Sequence, residues 1–109
     1  MNPRPGEVWL ADLGLAAKTR PVVIVSRFDP ESPRALVTYI PLTTQNRASR
    51  YEVQLPKLGF LNALSFANVQ GIGSIPAVRL ERRIGILPDA SLVEVRRAIA
   101  FGLELHPEL

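Results

Sequence analysis

The stretch KTRPVVIVSR, residues 18–27, decides how the rest of the chain is read. A polar step leads to Arg20-Pro21, and an unbroken apolar run follows. Proline pushes the residue before it out of the helical region toward extended backbone, so a strand starts at Arg20. Its β-branched run, Pro21 to Ser26, has the pattern of a strand covered on both faces. A guanidinium therefore stands at the mouth of a buried strand, where a rigid sheet can hold it.

Strands are expected on either side. Upstream, GEVWLADLG (6–14) alternates, with Val8 and Leu10 on one face, Trp9 and Ala11 on the other, and Gly14 closing the segment. Downstream, RFDPESPRA reads as a surface loop and ALVTYIPL (35–42) as a strand. TTQNRASR (43–50) is a polar loop rich in hydroxyl, amide and guanidinium groups, suited to reading a ligand. RYEVQL then alternates Tyr51, Val53 and Leu55 against polar neighbours, the period of a half-exposed edge strand. NALSFANVQGIGSI (62–75) is expected as one long strand, or two with a bend at Gly71 and Gly73, and RRIGIL as a last strand.

After Pro88 the pattern turns helical. Ser91 and Glu94 have the spacing of a capping box, and Leu92, Val95, Ile99 and Leu103 recur on one face, with an end near His106-Pro107. Arg96 and Arg97 fall off that face and read as solvated. Six short strands and one terminal helix predict a mainly β chain, a small curled barrel with the helix packed against it. The 109 residues suffice for one core, so residues 1–109 are expected to form a single domain.

Composition narrows the chemistry. Apolar residues make up 47% of the chain, yet no run approaches the roughly 18 to 20 residues of a membrane span. The opening MNPRPGEVWL lacks the apolar core of a signal peptide, so a cytoplasmic chain without membrane association is expected. With no cysteine there is neither a disulfide nor a thiolate, and one histidine, His106, cannot supply a metal cluster. No metal or cofactor is expected. Eleven of the thirteen basic residues are arginines, which stay protonated and fit phosphate or carboxylate bidentately. Between residues 16 and 57, seven basic residues face three acidic ones, a balance that favours a polyanionic partner.

RPGEVWLADLG, TRPVVIVS and IPLTTQ, in that order and spacing, resemble the MazF/PemK family of toxins from toxin–antitoxin pairs. The likeness continues through RYEVQL, NVQGI and the terminal helix, and so covers nearly the whole chain. It implies an SH3-like barrel, a homodimer, metal-independent cleavage of single-stranded mRNA at short sequences, and inhibition by a cognate antitoxin. The family's catalytic arginine falls on Arg20 and its catalytic threonine on Thr43. Arg20 would stabilise charge on the phosphate, and Thr43 would position the phosphate or the 2′-hydroxyl. Lys18, Thr44, Gln45, Asn46 and Arg47 are the expected RNA-binding residues.

Other readings of the same residues stay open. Arg20 could pair with Asp12 across neighbouring strands, Thr43 and Thr44 could bond only to loop backbone, and Tyr51 and Phe66 fit the core better than a base. Two features depart from the family. The loop GLAAKT is short where members carry a Gly-rich segment with a Glu-Gln pair, and Ala67-Asn68 stands where many have Asp-Gln. Proton transfer would then fall to water, the substrate, or Glu7 or Asp12. The alternative function is a non-catalytic barrel that binds RNA or a protein target such as DNA gyrase.

Overall fold

The apolar run after Arg20 forms strand β2 (Arg20–Ile24), flanked by β1 (Glu7–Ala11) and β3 (Leu36–Thr43). The computed structural model describes residues 2–14 and 19–105. Val22, Val23 and Ile24 are all 0% exposed, so β2 is covered on both faces as its composition predicts. Val23 joins Val8, Ile40 and Leu42 in one core, whereas Val22 and Ile24 join Ala11, Val37, Ile75 and Leu80 in a second core on the opposite face. Within β1, Val8 and Trp9 separate between these two cores as their alternation requires.

The remaining strands are β4 (Glu52–Gln54), β5 (Phe66–Asn68), β6 (Gly73–Pro76) and β7 (Leu80–Ile86), in the antiparallel order β4-β5-β3-β2-β1-β7. β3 has two neighbours along the edge away from β2. Leu36–Tyr39 pair with β6, and Leu42–Thr43 pair with β5. β3 thus pairs with β2, β5 and β6. β4 ends the order, which matches the edge expected from its half-exposed pattern.

Residues 62–75 are two strands, not one. Between them Val69–Gly71 form a turn of 3-10 helix, capped by Asn68 Oδ1, which accepts from Gln70 N at 3.1 Å. Pro41 of β3 approaches Gly71 so closely that a Cβ there would lie 2.6 Å from its ring. Only glycine fits that contact.

Helix α1 (Asp89–Gly102) packs its Val95 and Ala98 into the first core, against Val53, Leu55 and Val69. The expected capping box does not form. The helix starts three residues earlier, with Pro88 at the cap position and Ser91 buried inside the first turn, its N–H donating to Pro88 O at 3.0 Å. Pro88 supplies a preset φ, and Asp89 places a negative charge at the positive end of the helix. The helix closes at Gly102, short of His106-Pro107, which lie outside the described residues. There Glu104 takes a left-handed φ of 55°, and the N–H groups of Glu104 and Leu105 return to Phe101 O and Ala100 O. Leu103 lies beyond the last helical residue and is exposed, so the apolar stripe ends one turn earlier than its spacing predicts. Arg96 and Arg97 are exposed, as expected.

Truncating Ile24 to Ala removes a large side chain that is fully buried in the central strand. The expected loss is about 2–5 kcal/mol of stability in urea unfolding. A loss below about 1 kcal/mol would mean that the two-sided burial of β2 does not hold the sheet together.

Candidate functional site

The pairs Val22↔Pro41, Val23↔Ile40 and Ile24↔Tyr39 fix the register of β2 on β3. Continued by two residues, that register sets Arg20 opposite Thr43. Directly opposed residues in an antiparallel pair project on the same face. Arg20 also pairs with Ala11 of β1, and Thr43 with Phe66 of β5, so both sit in one row across four strands. Together with Pro21, Leu42, Thr44, Gln45 and Ser65 they line an open depression of about 380 Å³.

Arg20 is exposed, and its side chain makes no hydrogen bond or ion pair with any described residue. The pairing with Asp12 that the sequence left open does not form. Asp12 Oδ1 instead accepts from Gly14 N at 2.8 Å, closing the turn after β1. The guanidinium of Arg20 thus keeps its donors and its charge for a ligand. Thr43 Oγ1 accepts from Gln45 N at 3.1 Å. The backbone bond expected of such a residue is therefore present, and it leaves the hydroxyl proton directed elsewhere, free to donate.

The loop after Thr43 is folded by its own side chains. Asn46 Oδ1 accepts from Ala48 N at 2.8 Å, Ser49 Oγ accepts from Tyr51 N at 3.1 Å, and Glu52 Oε1 accepts from Arg47 N at 3.0 Å. Arg47 Nη2 donates to Gln45 Oε1 at 2.8 Å, which turns the amide nitrogen of Gln45 outward. Thr44 and Gln45 share the Arg20–Thr43 depression. Asn46 does not; it lines a neighbouring one with Ser49, Gln54 and Phe66. Arg47 lines neither, and Lys18 lies outside the described residues. Phe66 is buried and Tyr51 packs on Phe101 at 5.1 Å, so both belong to the packing of the fold.

Neither carboxylate suggested for proton transfer faces the depression. Glu7 lies at the far end of β1, opposite Ile86, and accepts from Arg4 N at 3.0 Å, Trp9 Nε1 at 3.1 Å and Arg83 Nη1 at 3.2 Å. Burial alone would push its carboxyl up, but these three donors and the charge of Arg83 more than offset this, and its pKa lies below the usual glutamate value. Arg83 is thereby committed to structure. Ser65 is the lining residue that sequence reading missed. It is buried, its Oγ donates to Ala63 O, and its carbonyl accepts from Leu55 N. No local pattern marks it, because its place depends on pairing across to residue 55.

A model of the PemK-like, MazF-like toxins of type II toxin–antitoxin systems matches residues 4–103. The chain belongs to the PemK/MazF toxin family. Among similar solved structures is an endoribonuclease in complex with its cognate antitoxin from a mycobacterial species, 26% identical, with a TM-score of 0.83 over 95% of this chain and 97% of that one. The Mycobacterium tuberculosis toxin MazF-mt6 is 29% identical, with a TM-score of 0.80 over 92% of this chain and 98% of that one. MazF from Deinococcus radiodurans, 22% identical with a TM-score of 0.78 over 96% and 99% of the two chains, shares the fold.

As a PemK/MazF chain, this one has a structural reason for its Ala67-Asn68. Ala67 is fully exposed to neither face: it is 0% exposed, pairs with both Leu42 and Val53, and sits in the first core, where a carboxylate would be desolvated. Asn68 is occupied in capping the 3-10 turn.

Because the Glu7 carboxylate is favoured in the folded state, its contribution to stability is full above the unfolded glutamate pKa, about 4.3, and is lost as pH falls through the lower folded value. The urea midpoint of the wild type is expected to drop between about pH 6 and about pH 3, and to drop less steeply in Glu7→Gln. Equal slopes would show that the carboxylate is not stabilised by Arg4, Trp9 and Arg83.

Proposed function

We propose that this chain is the toxin of a type II toxin–antitoxin system and cleaves single-stranded mRNA without a metal, with Arg20 and Thr43 as catalytic residues. The observation that carries the reading is the alignment of an unpaired guanidinium and a free hydroxyl donor across β2 and β3, at the edge of an open groove. Membership of the toxin family supports it, as do similar structures described as endoribonucleases.

The chemistry follows from the groups present. The 2′-oxygen attacks the adjacent phosphorus in line, the O2′–P bond forms and the P–O5′ bond breaks. This leaves a cyclic phosphate and a free 5′-hydroxyl. Negative charge grows on the non-bridging oxygens, where the Arg20 fork and the Thr43 hydroxyl donate, and such donors bind the transition state more tightly than the ground state. Arg20 gains rigidity from its place in the ladder to Ala11, so little freedom is lost on binding. It is not a base, since its pKa lies far above neutrality. The described groove lining has no carboxylate, so water and the substrate carry the proton from O2′ and to O5′.

Thr44 and Gln45 contact the RNA beside the scissile phosphate, Asn46 one depression further on, and Lys18 and Arg47 add charge to the track. The cognate antitoxin, by charge complementarity, is acidic where it covers this basic groove; a similar structure was solved with its cognate antitoxin. The chain acts as a homodimer, which would cover apolar side chains such as Ile86 on the open edge strand β7. The absence of a carboxylate from the described groove lining favours one other reading, a barrel that binds RNA or a protein target without cutting it.

Purified chain mixed with long single-stranded RNA in EDTA is expected to give fragments ending at a recurring short motif, with cleavage reduced about a hundredfold to a thousandfold in Arg20→Ala. Intact RNA with the wild type, together with salt-sensitive retention, would establish the binding barrel instead.

A further inference from the structure

The Arg20–Thr43 groove continues into a second depression of about 250 Å³, which shares Pro21, Thr44 and Ser65 with it. This second depression is of a different character. Leu10, Pro21, Phe60, Leu61 and Ile84 make most of its surface apolar, and Asn62 stands at its edge. It is smaller than the roughly 300 to 1,000 Å³ of sites for drug-sized ligands, a size suited to one flat heterocycle.

Phe60 holds a defined place there. Three adjacent atoms of its ring crowd the position that a Cβ on Gly85 would occupy, so the glycine near the end of β7 lets the ring lie directly on strand backbone. Gly85 in turn pairs with Val8 of β1. The ring is thus seated on the sheet, half-buried, and borders the depression. Asn62 is exposed and makes no hydrogen bond with a described residue, so its amide has both a donor and an acceptor to offer.

We propose that this depression is a base-binding subsite: one unpaired base next to the cleaved phosphodiester enters it, stacks on Phe60 and is read at its edge by Asn62. Continuity with the groove selects the occupant. A single strand whose phosphate meets Arg20 must place its neighbouring base within a nucleotide's reach, and the apolar wall formed with Pro21 and Thr44 is the surface available to a π-face on that side. Single-stranded RNA is read in this way, by stacking its splayed bases on aromatic side chains and bonding their edges. Phe60 therefore contributes affinity across bases, and Asn62 contributes preference among them.

The inference rests on the ribonuclease reading for the position of the phosphate, and two readouts separate them. The first uses a short single-stranded oligoribonucleotide carrying 2-aminopurine at each position in turn. Wild type is expected to quench the fluorescence at one position, and Phe60→Leu, which keeps apolar bulk over Gly85, to lose that quenching and to bind on the order of tenfold more weakly. The second sequences fragment ends from a randomised single-stranded RNA pool. Asn62→Ala, an exposed change, is expected to relax base preference at one position beside the cleaved bond and to keep it elsewhere. Equal quenching by Phe60→Leu, or an unchanged cleavage profile in Asn62→Ala, overturns the subsite and leaves the ribonuclease intact. Phe60-dependent quenching without cleavage by wild type overturns the ribonuclease and leaves the subsite. Failure of wild type to bind the oligoribonucleotide overturns both.

Discussion

Burial of β2 on both faces is the constraint on which the rest of the structure depends. A strand with Val23 in one core and Val22 and Ile24 in the other cannot slip by one residue without sending each side chain to the wrong side. Its register on β1 and on β3 is therefore pinned twice. That pinning places Arg20 across from Thr43, although the two are separated by the whole loop from 25 to 35. The Arg20–Thr43 row is a by-product of packing: the same hydrophobic run that builds the sheet begins at the guanidinium of the proposed site.

Charge in this molecule is divided between structure and ligand. Glu7 and Arg83 neutralise each other at one end of β1, with the Trp9 indole and the Arg4 backbone completing the shell of the carboxylate. Asp12 is tied into a turn, and Glu52 braces the loop after Thr43. Arg4 and Arg50 lie over the rings of Phe28 and Phe101. Arg20 has none of these engagements among the described residues. A cation left uncompensated in a concave surface raises the local concentration of polyanions, and the adjoining hydroxyls and amides then orient what arrives. The loop from Thr44 to Arg50 is held by side-chain bonds to backbone, so it presents a shaped surface without belonging to the sheet.

The strands and their order of burial were legible in the sequence because each carries its own period. The two-faced run at 21–26, the alternation in 7–11 and 51–55, and the terminal amphipathic pattern each state locally which side faces a core. The helix start was misread for a local reason too. Ser91 and Glu94 match a capping box in spacing, but the preset φ of Pro88 lets the helix begin at Asp89, before that signal. The apolar stripe likewise was extended to Leu103, just past the last helical residue Gly102 and directly before Glu104 turns left-handed.

From the sequence alone came a mainly β chain with a terminal helix, its central strand, the family likeness, and the choice of Arg20 and Thr43 as site residues; periodicity and short motifs are properties of neighbouring residues. The tertiary structure decided which groups meet. It separated Asn46 from Gln45, removed Glu7 and Asp12 from the groove, and brought in Ser65. It also seated Phe60 on Gly85, twenty-five residues away in the chain. Such meetings depend on strand pairing and on the space that a missing Cβ leaves, which no local pattern encodes.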